Sequence, residues 1–361
     1  MFPKSQSPLK YKSIIVIFLL SLYLMYKIIP IKTNNNSIIK ISHKKMFKEK
    51  ITNAFNYSLK YEEFDENIYK QYLQFQNYFC EKENESLIPE YEKRIIKANA
   101  IYNGKTFQMF VHTGKDFVSQ SILYSHNWEG SLAQNCLRAL EYYSKKKNIE
   151  NNDIYFLDIG GNVGWFTFYL GKFGYKIISF EVWEVNNYIL YKNYCLNKDV
   201  NVILINKGLD AEDKKCTFKT ASGNKGNGMI FCENRDKYRS ELDGETFNNV
   251  ELTKLSRYYN YLSDKNLAFI KMDVEGSEAN VLKGGKELIT KYHVPFIMIE
   301  YEQSFLEDHG IKVLEFLQFF ENNGYKISMN DFLSKQYTSI SEIIKNKNII
   351  NLFIVYEKFL E

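Results

Sequence analysis

Phe156-Leu157-Asp158-Ile159-Gly160-Gly161-Asn162-Val163-Gly164-Trp165-Phe166 is the segment on which the reading of this chain turns. An apolar run ends in an acid, and a glycine-rich turn then opens a stretch that can continue as a helix. Doubly wound α/β folds use this arrangement to bring backbone against a nucleotide-like ligand at the carboxyl ends of their strands. Glycine suits the turn because a Cβ would obstruct that approach.

Outward from the turn, short apolar runs alternate with helical stretches. Ile154 to Ile159, Lys176 to Phe180, Val200 to Ile205, Leu267 to Met272 and Pro295 to Ile299 read as strands buried on both faces of a parallel sheet. Glu184 to Cys195 and Ala279 to Ile289 read as helices between them, which predicts a doubly wound α/β domain. A helix over Val313 to Asn322 precedes Tyr325 to Met329 and Ile349 to Tyr356, expected to close the sheet as an antiparallel pair. Thr220 to Cys232, with three glycines, is expected to be a mobile loop covering the acceptor.

A dinucleotide fingerprint requires a third glycine where the helix packs on its strand, and Trp165 stands there instead. S-adenosylmethionine (SAM), which carries no phosphate, fits better. Asp158 is placed to hold its ammonium group directly or through water, and the turn with Gly160, Asn162 and Gly164 to contact its methionine end. Glu181 ends the next apolar run, where it can accept both ribose hydroxyls. Asp210 either reaches the adenine edge or is an ordinary loop residue.

A second motif, Phe269-Ile270-Lys271-Met272-Asp273-Val274-Glu275-Gly276-Ser277-Glu278, also ends a strand in acids before a helix. Crowded carboxylates are costly unless function, a cation or helix N-terminal amides offset their repulsion. Together with Asp158-Ile-Gly160-Gly-Asn162-Val-Gly164, Phe180-Glu181 and Leu282-Lys283-Gly284, this string resembles the FkbM family of SAM-dependent methyltransferases over residues 100 to 356. Trp128-Glu129 is similar to an aromatic-Glu pair preceding the cofactor loop in that family, and adds Glu129 to the cofactor candidates. Val182 departs from the family's usual proline. The resemblance implies a seven-stranded, Rossmann-like class I methyltransferase fold and O-methylation, commonly of sugar hydroxyls.

A sulfonium methyl is already activated, so such an enzyme aligns the reactants and removes the acceptor's proton. Asp273 is the first candidate base, and Glu275 and Glu300 are acceptor-orienting or alternative bases. Lys271 is expected to stabilise the carboxylates or a developing alkoxide. A divalent cation at Asp273 would explain the acids equally well. His112, His126, His293 and His309 are each isolated in sequence and read as ordinary surface or core residues.

Before the catalytic region, Lys4, Lys10 and Lys12 follow one another into an uncharged run from Ser13 to Tyr26, and the apolar character continues to Ile31. With no small-residue cleavage site, residues 13–31 are expected to form a transmembrane signal anchor after a 1–12 tail. Residues 32–95 then form a stem and 96–361 the methyltransferase domain. A type II protein with its catalytic domain in the ER or Golgi lumen follows. Asn35, Asn56 and Asn84 begin sequons, but the chain's many asparagines make these uninformative. Ile68, Tyr72, Phe75 and Phe79 share one helical face, expected to pack on the main domain.

Apolar residues at 45% supply a packed core, and charged residues at 25% with a net charge of +4 are interspersed rather than clustered, which argues against a nucleic-acid partner. The five cysteines form no zinc spacing. Cys136 and Cys195 read as small buried hydrophobes, with one disulfide left open. A lipid or small-metabolite methyltransferase, an inactive membrane-tethered binding module and an NAD-dependent sugar oxidoreductase are the competing functions, the last opposed by Trp165.

Overall fold

The computed structural model describes residues 63–81, 89–226, 228–232, 242–346 and 348–361. The expected signal anchor and the three sequons lie outside them. Among the described residues no helix is long and apolar enough to cross a membrane.

Helix α1 (Glu66–Glu81) leads to a hairpin of β1 (Ile95–Tyr102) and β2 (Lys105–His112), then to α2 (Phe117–Ser125) and α3 (Gly130–Lys147). The wound region follows as β3 (Ile154–Ile159), α4 (Trp165–Gly171), β4 (Lys176–Phe180), α5 (Glu184–Leu196) and β5 (Val202–Ile205). An insertion supplies β6 (Gly208–Leu209), β7 (Lys214–Thr220), β8 (Gly228–Phe231) and β9 (Thr246–Thr253). The chain closes with β10 (Asn266–Met272), α6 (Glu278–Gly284), β11 (Phe296–Tyr301), α7 (Val313–Asn322), β12 (Tyr325–Ser328) and β13 (Ile350–Tyr356).

The main sheet has seven strands in the order β12-β13-β11-β10-β3-β4-β5. From β11 to β5 all pairs are parallel, whereas β13 pairs antiparallel with both β11 and β12. Every residue of β3 is buried, as a central strand covered by helices on both faces requires. The apolar stripe of α1 does pack on the domain: Ile68, Tyr72 and Phe79 are buried, and Phe75 meets Tyr191 edge-on. Gln76 goes further. Its amide donates to Val202 O at 3.0 Å and accepts from Leu204 N at 2.8 Å, so α1 satisfies the open edge of β5.

Three expectations need correction. The stretch 220–232 is not a free loop, because β8 pairs with β7 and the Cys216–Cys232 disulfide ties its end. The four-stranded sheet β6-β9-β7-β8 has no apolar pattern to mark it in sequence, because β7 and β9 are half-exposed and largely polar and β6 and β8 span only two and four residues. Cys195 is not a small hydrophobe either, since it bridges to Cys80 and fastens α5 to α1. Cys136 is free and buried, as expected. Finally, the helix expected over Ala279–Ile289 breaks after Gly284, which lies so close to the β6 region that a Cβ would sit 2.1 Å from Asp210 O.

Candidate active site

The turn after β3 and the acids after β10 meet because those strands are neighbours in parallel register, with Lys271 opposite Asp158 and Met272 opposite Ile159. Asp273 N donates to Ile159 O at 3.1 Å, which extends the ladder into the turn. Gly160 has φ +84°, and a Cβ there would fall 1.9 Å from Asp273 O. The glycine therefore admits the adjoining chain, a different reason from the ligand approach expected of it. Gly160 N and Gly161 N both donate to Phe180 O, tying the same turn to β4.

A cavity of about 640 Å³ opens over these strand ends. Gly160, Gly161, Asn162 and Glu181 line one part, and Glu129, Lys271, Asp273, Glu275 and Glu300 another. Asn162, Glu129 and Glu275 hold φ of 50°, 43° and 52°. Non-glycine residues in that region cost about 1–3 kcal/mol each and concentrate where function demands a particular backbone.

Glu181 is buried, and each oxygen already accepts a backbone donor: Asn162 N to Oε2 at 2.8 Å and Trp183 N to Oε1 at 2.7 Å. Burial pushes its carboxyl up to about 7 against these hydrogen bonds. The Asn186 side chain and the Val182 backbone also bond to it, which brings the carboxylate to about the four hydrogen bonds it can accept.

Asp158 and Asp210 do not line the cavity. Asp158, 1% exposed, lies beneath it with Oδ2 accepting from Thr167 Oγ1 at 2.6 Å and Oδ1 3.7 Å from Lys271 Nζ. Asp210 pairs with Lys214 at 2.8 Å, while Lys207 and Gly208, which sequence reasoning did not assign, face the cavity. Gly164 stands behind the turn as the N-cap of α4. None of His112, His126, His293 and His309 is among the cavity-lining residues.

Lys271 is the buried cation beside the acids. Its ammonium lies 3.1 Å from Asp273 Oδ2 and 3.4 Å from Gly160 O. Burial works against its charge, but Asp273 and Asp158 together hold it above the ordinary lysine range. The surrounding acids outnumber it. The Asp273 charge, then burial, pushes the Glu300 carboxyl up to about 10, and burial, then Asp273, raises Glu275 and Glu129. Glu278 is occupied otherwise, accepting from Val274 N and Gly276 N within its own turn. Asp273, Glu275 and Glu300 can each present one oxygen within 4.8 Å of the others, close enough to hold one cation between them.

A pH dependence follows. Unfolded Glu300 releases its proton near 4.5, whereas the folded group keeps it to about 10. The folded state binds more protons across that interval, so this group's favourable contribution is complete below the lower value and is lost as pH rises. The expected result is a melting temperature that falls from about pH 5 to about pH 9, with a shallower fall in Glu300→Gln. Equal slopes in scanning calorimetry would refute the assignment.

The family model described as the methyltransferase FkbM domain matches residues 158–327. Similar solved structures include WbdD, with 9% identity and a TM-score of 0.36, covering 63% of this chain and 40% of that one. The chain thus spans less than half of the WbdD chain it matches. Precorrin-6y C5,15-methyltransferase from Geobacter metallireducens matches with 10% identity and a TM-score of 0.32, covering 60% of this chain and 87% of its own. TYW2 from M. jannaschii, solved with AdoMet, matches with 15% identity and a TM-score of 0.29, covering 72% and 84%. No curated protein matches the chain.

Proposed function

We propose that the chain, whose residues 158–327 match the methyltransferase FkbM domain, is a SAM-dependent methyltransferase that methylates a hydroxyl, on a sugar or glycan, with Asp273 as general base. The observation that carries this reading is the gathering of Asp273, Glu275 and Glu300 at the strand ends beside the glycine turn. A hydroxyl there meets an acid that can accept its proton and neighbours whose raised carboxyls can donate hydrogen bonds to it.

The residues present fit SAM. Glu181 lines the cavity and would accept from the ribose hydroxyls in place of part of its protein hydrogen bonding, the Gly160–Asn162 turn and Glu129 would border the methionine end, and Phe180, Val182 and Leu209 supply apolar wall for the base. Bound SAM supplies an activated methyl group, which leaves the protein to align the acceptor and receive its proton. Asp158 serves this site by holding Lys271, and Lys271 in turn orients Asp273.

A lipid-linked or other partly apolar acceptor is the second reading, favoured by Phe117 and Ile349. Both line the cavity and yet are 60% and 58% exposed. The membrane anchor and lumenal setting belong to the same proposal, supported by two disulfides of the kind that persist in oxidising compartments. A divalent cation at the three acids is compatible with either acceptor.

Two measurements test the reading. Glu181→Gln, which exchanges charged for neutral hydrogen bonding, is expected to weaken SAM binding by about 10- to 100-fold in calorimetry. Unchanged affinity would remove Glu181 from the cofactor site. Mass spectrometry of glycans and lipids from cells with and without the protein should show a gain of one methyl group on glycans. A gain confined to lipids selects the second reading, and SAM binding without any product points to the inactive module.

A further inference from the structure

His112 is buried on β2 with no place in the cavity wall, and its ring is nonetheless bound on two sides. Its Nε2 lies 2.7 Å from Asn186 Oδ1, and the ring stacks on Trp183 with centroids 5.0 Å apart and planes 20° from parallel. Its backbone N–H donates to Ser119 Oγ at 3.0 Å, which fixes the strand end that carries it. Both partners lead to one carboxylate. Trp183 N donates to Glu181 Oε1 at 2.7 Å, and the Asn186 side chain makes a further hydrogen bond to Glu181.

The polarity of this chain of bonds is determined. A carboxylate bonded to backbone N–H groups is an acceptor, so the Asn186 amide must turn its NH2 toward Glu181 and its oxygen toward His112. His112 must then carry a proton on Nε2. Burial lowers its pKa, which keeps the ring neutral in that tautomer, and Nδ1 has no hydrogen-bond partner. Asn186 also lines the cavity, so an amide turned the wrong way would present its oxygen to Glu181 and repel it.

We propose that His112 is a positioning residue for cofactor binding: through Asn186 and Trp183 it fixes the Glu181 carboxylate toward the ribose. The inference rests on the cofactor role given to Glu181 above. It assigns a function to the β1–β2 hairpin, which lies outside the seven-stranded sheet and meets α5 here through His112 and Asn186.

The test is SAM calorimetry on the full chain. His112→Phe can keep the stack on Trp183 while losing the Nε2 donor, and SAM Kd should rise about tenfold, the equivalent of one hydrogen bond. His112→Gln, whose amide nitrogen can replace Nε2, should restore Kd to within about threefold of wild type. In a Glu181→Gln background the His112→Phe change should add almost nothing, because both act on one group. A purely structural role would instead lower the melting temperature, weaken binding equally in both backgrounds and resist rescue. Asn186→Ala breaks the same chain at its middle and should show the same tenfold loss and the same non-additivity, which covers the case that His112→Phe does not fold. Wild-type affinity in the single variants, or full additivity with Glu181→Gln, overturns the proposal while the cofactor reading stands. A wild-type chain that binds no SAM overturns both.

Discussion

Asp273→Asn should lower turnover by about 10²- to 10⁴-fold, the range over which a positioned general base contributes, with SAM affinity changed by less than about threefold. The amide is nearly isosteric and cannot accept the acceptor's proton. In the wild type Glu300 is no competing base, because its carboxyl is raised to about 10 chiefly by the charge that Asp273 carries. Removing that charge lowers Glu300 again, so a residual rate that climbs with pH is expected in the variant. Glu300→Gln is the contrasting case: it replaces a protonated acid with a neutral amide and should retain turnover within about tenfold. The readout is labelled methyl transferred from SAM to the acceptor found by mass spectrometry. Full turnover in Asp273→Asn, or equal loss in both variants, would falsify the base assignment. Stability must be measured beside rate, since Lys271 loses its partner at 3.1 Å and is left with the more distant Asp158 Oδ1 at 3.7 Å.

How much of this was legible depends on whether a signal is local. The bounds of β3, β4 and α7 match the sequence reading because each is a sharply delimited apolar pattern. Strand β9, Thr-Phe-Asn-Asn-Val-Glu-Leu-Thr, was missed because it is half exposed and takes its stability from pairing with β7, thirty residues earlier in the chain. The Cys80–Cys195 bridge is likewise a fact of packing, since cysteine spacing does not determine pairing.

The site divides the same way. That acids end strands β3, β4 and β10 was readable, but which of them face the cavity was not. Asp158 lies directly across the ladder from Lys271, so its charge is turned toward a buried ammonium and away from any ligand. That pairing exists only after a crossover has set β10 beside β3, a step with no signature near either residue. His112 illustrates the converse. It is isolated in sequence, and its connection to Glu181 arises only when a hairpin from before the sheet docks on α5.

Gly160→Ala is expected to be the most damaging single methyl group in the chain, with a loss above about 4 kcal/mol of stability and no measurable SAM binding. A positive φ alone costs an alanine roughly 1–2 kcal/mol. The remainder comes from the new Cβ, 1.9 Å from Asp273 O, an atom of the backbone rather than the end of a pliable side chain. Relief requires the chain at Asp273 to move, and Asp273 N is bonded to Ile159 O, so the motion would part β10 from β3 where the two motifs touch. Gly223→Ala is the control, because a Cβ there meets nothing within 4 Å. It should change stability by less than about 0.5 kcal/mol. Denaturant unfolding with disulfides intact measures both. If Gly160→Ala unfolds at the wild-type midpoint, the close approach of the two strand ends is wrong, and with it the placement of the proposed base beside the cofactor turn.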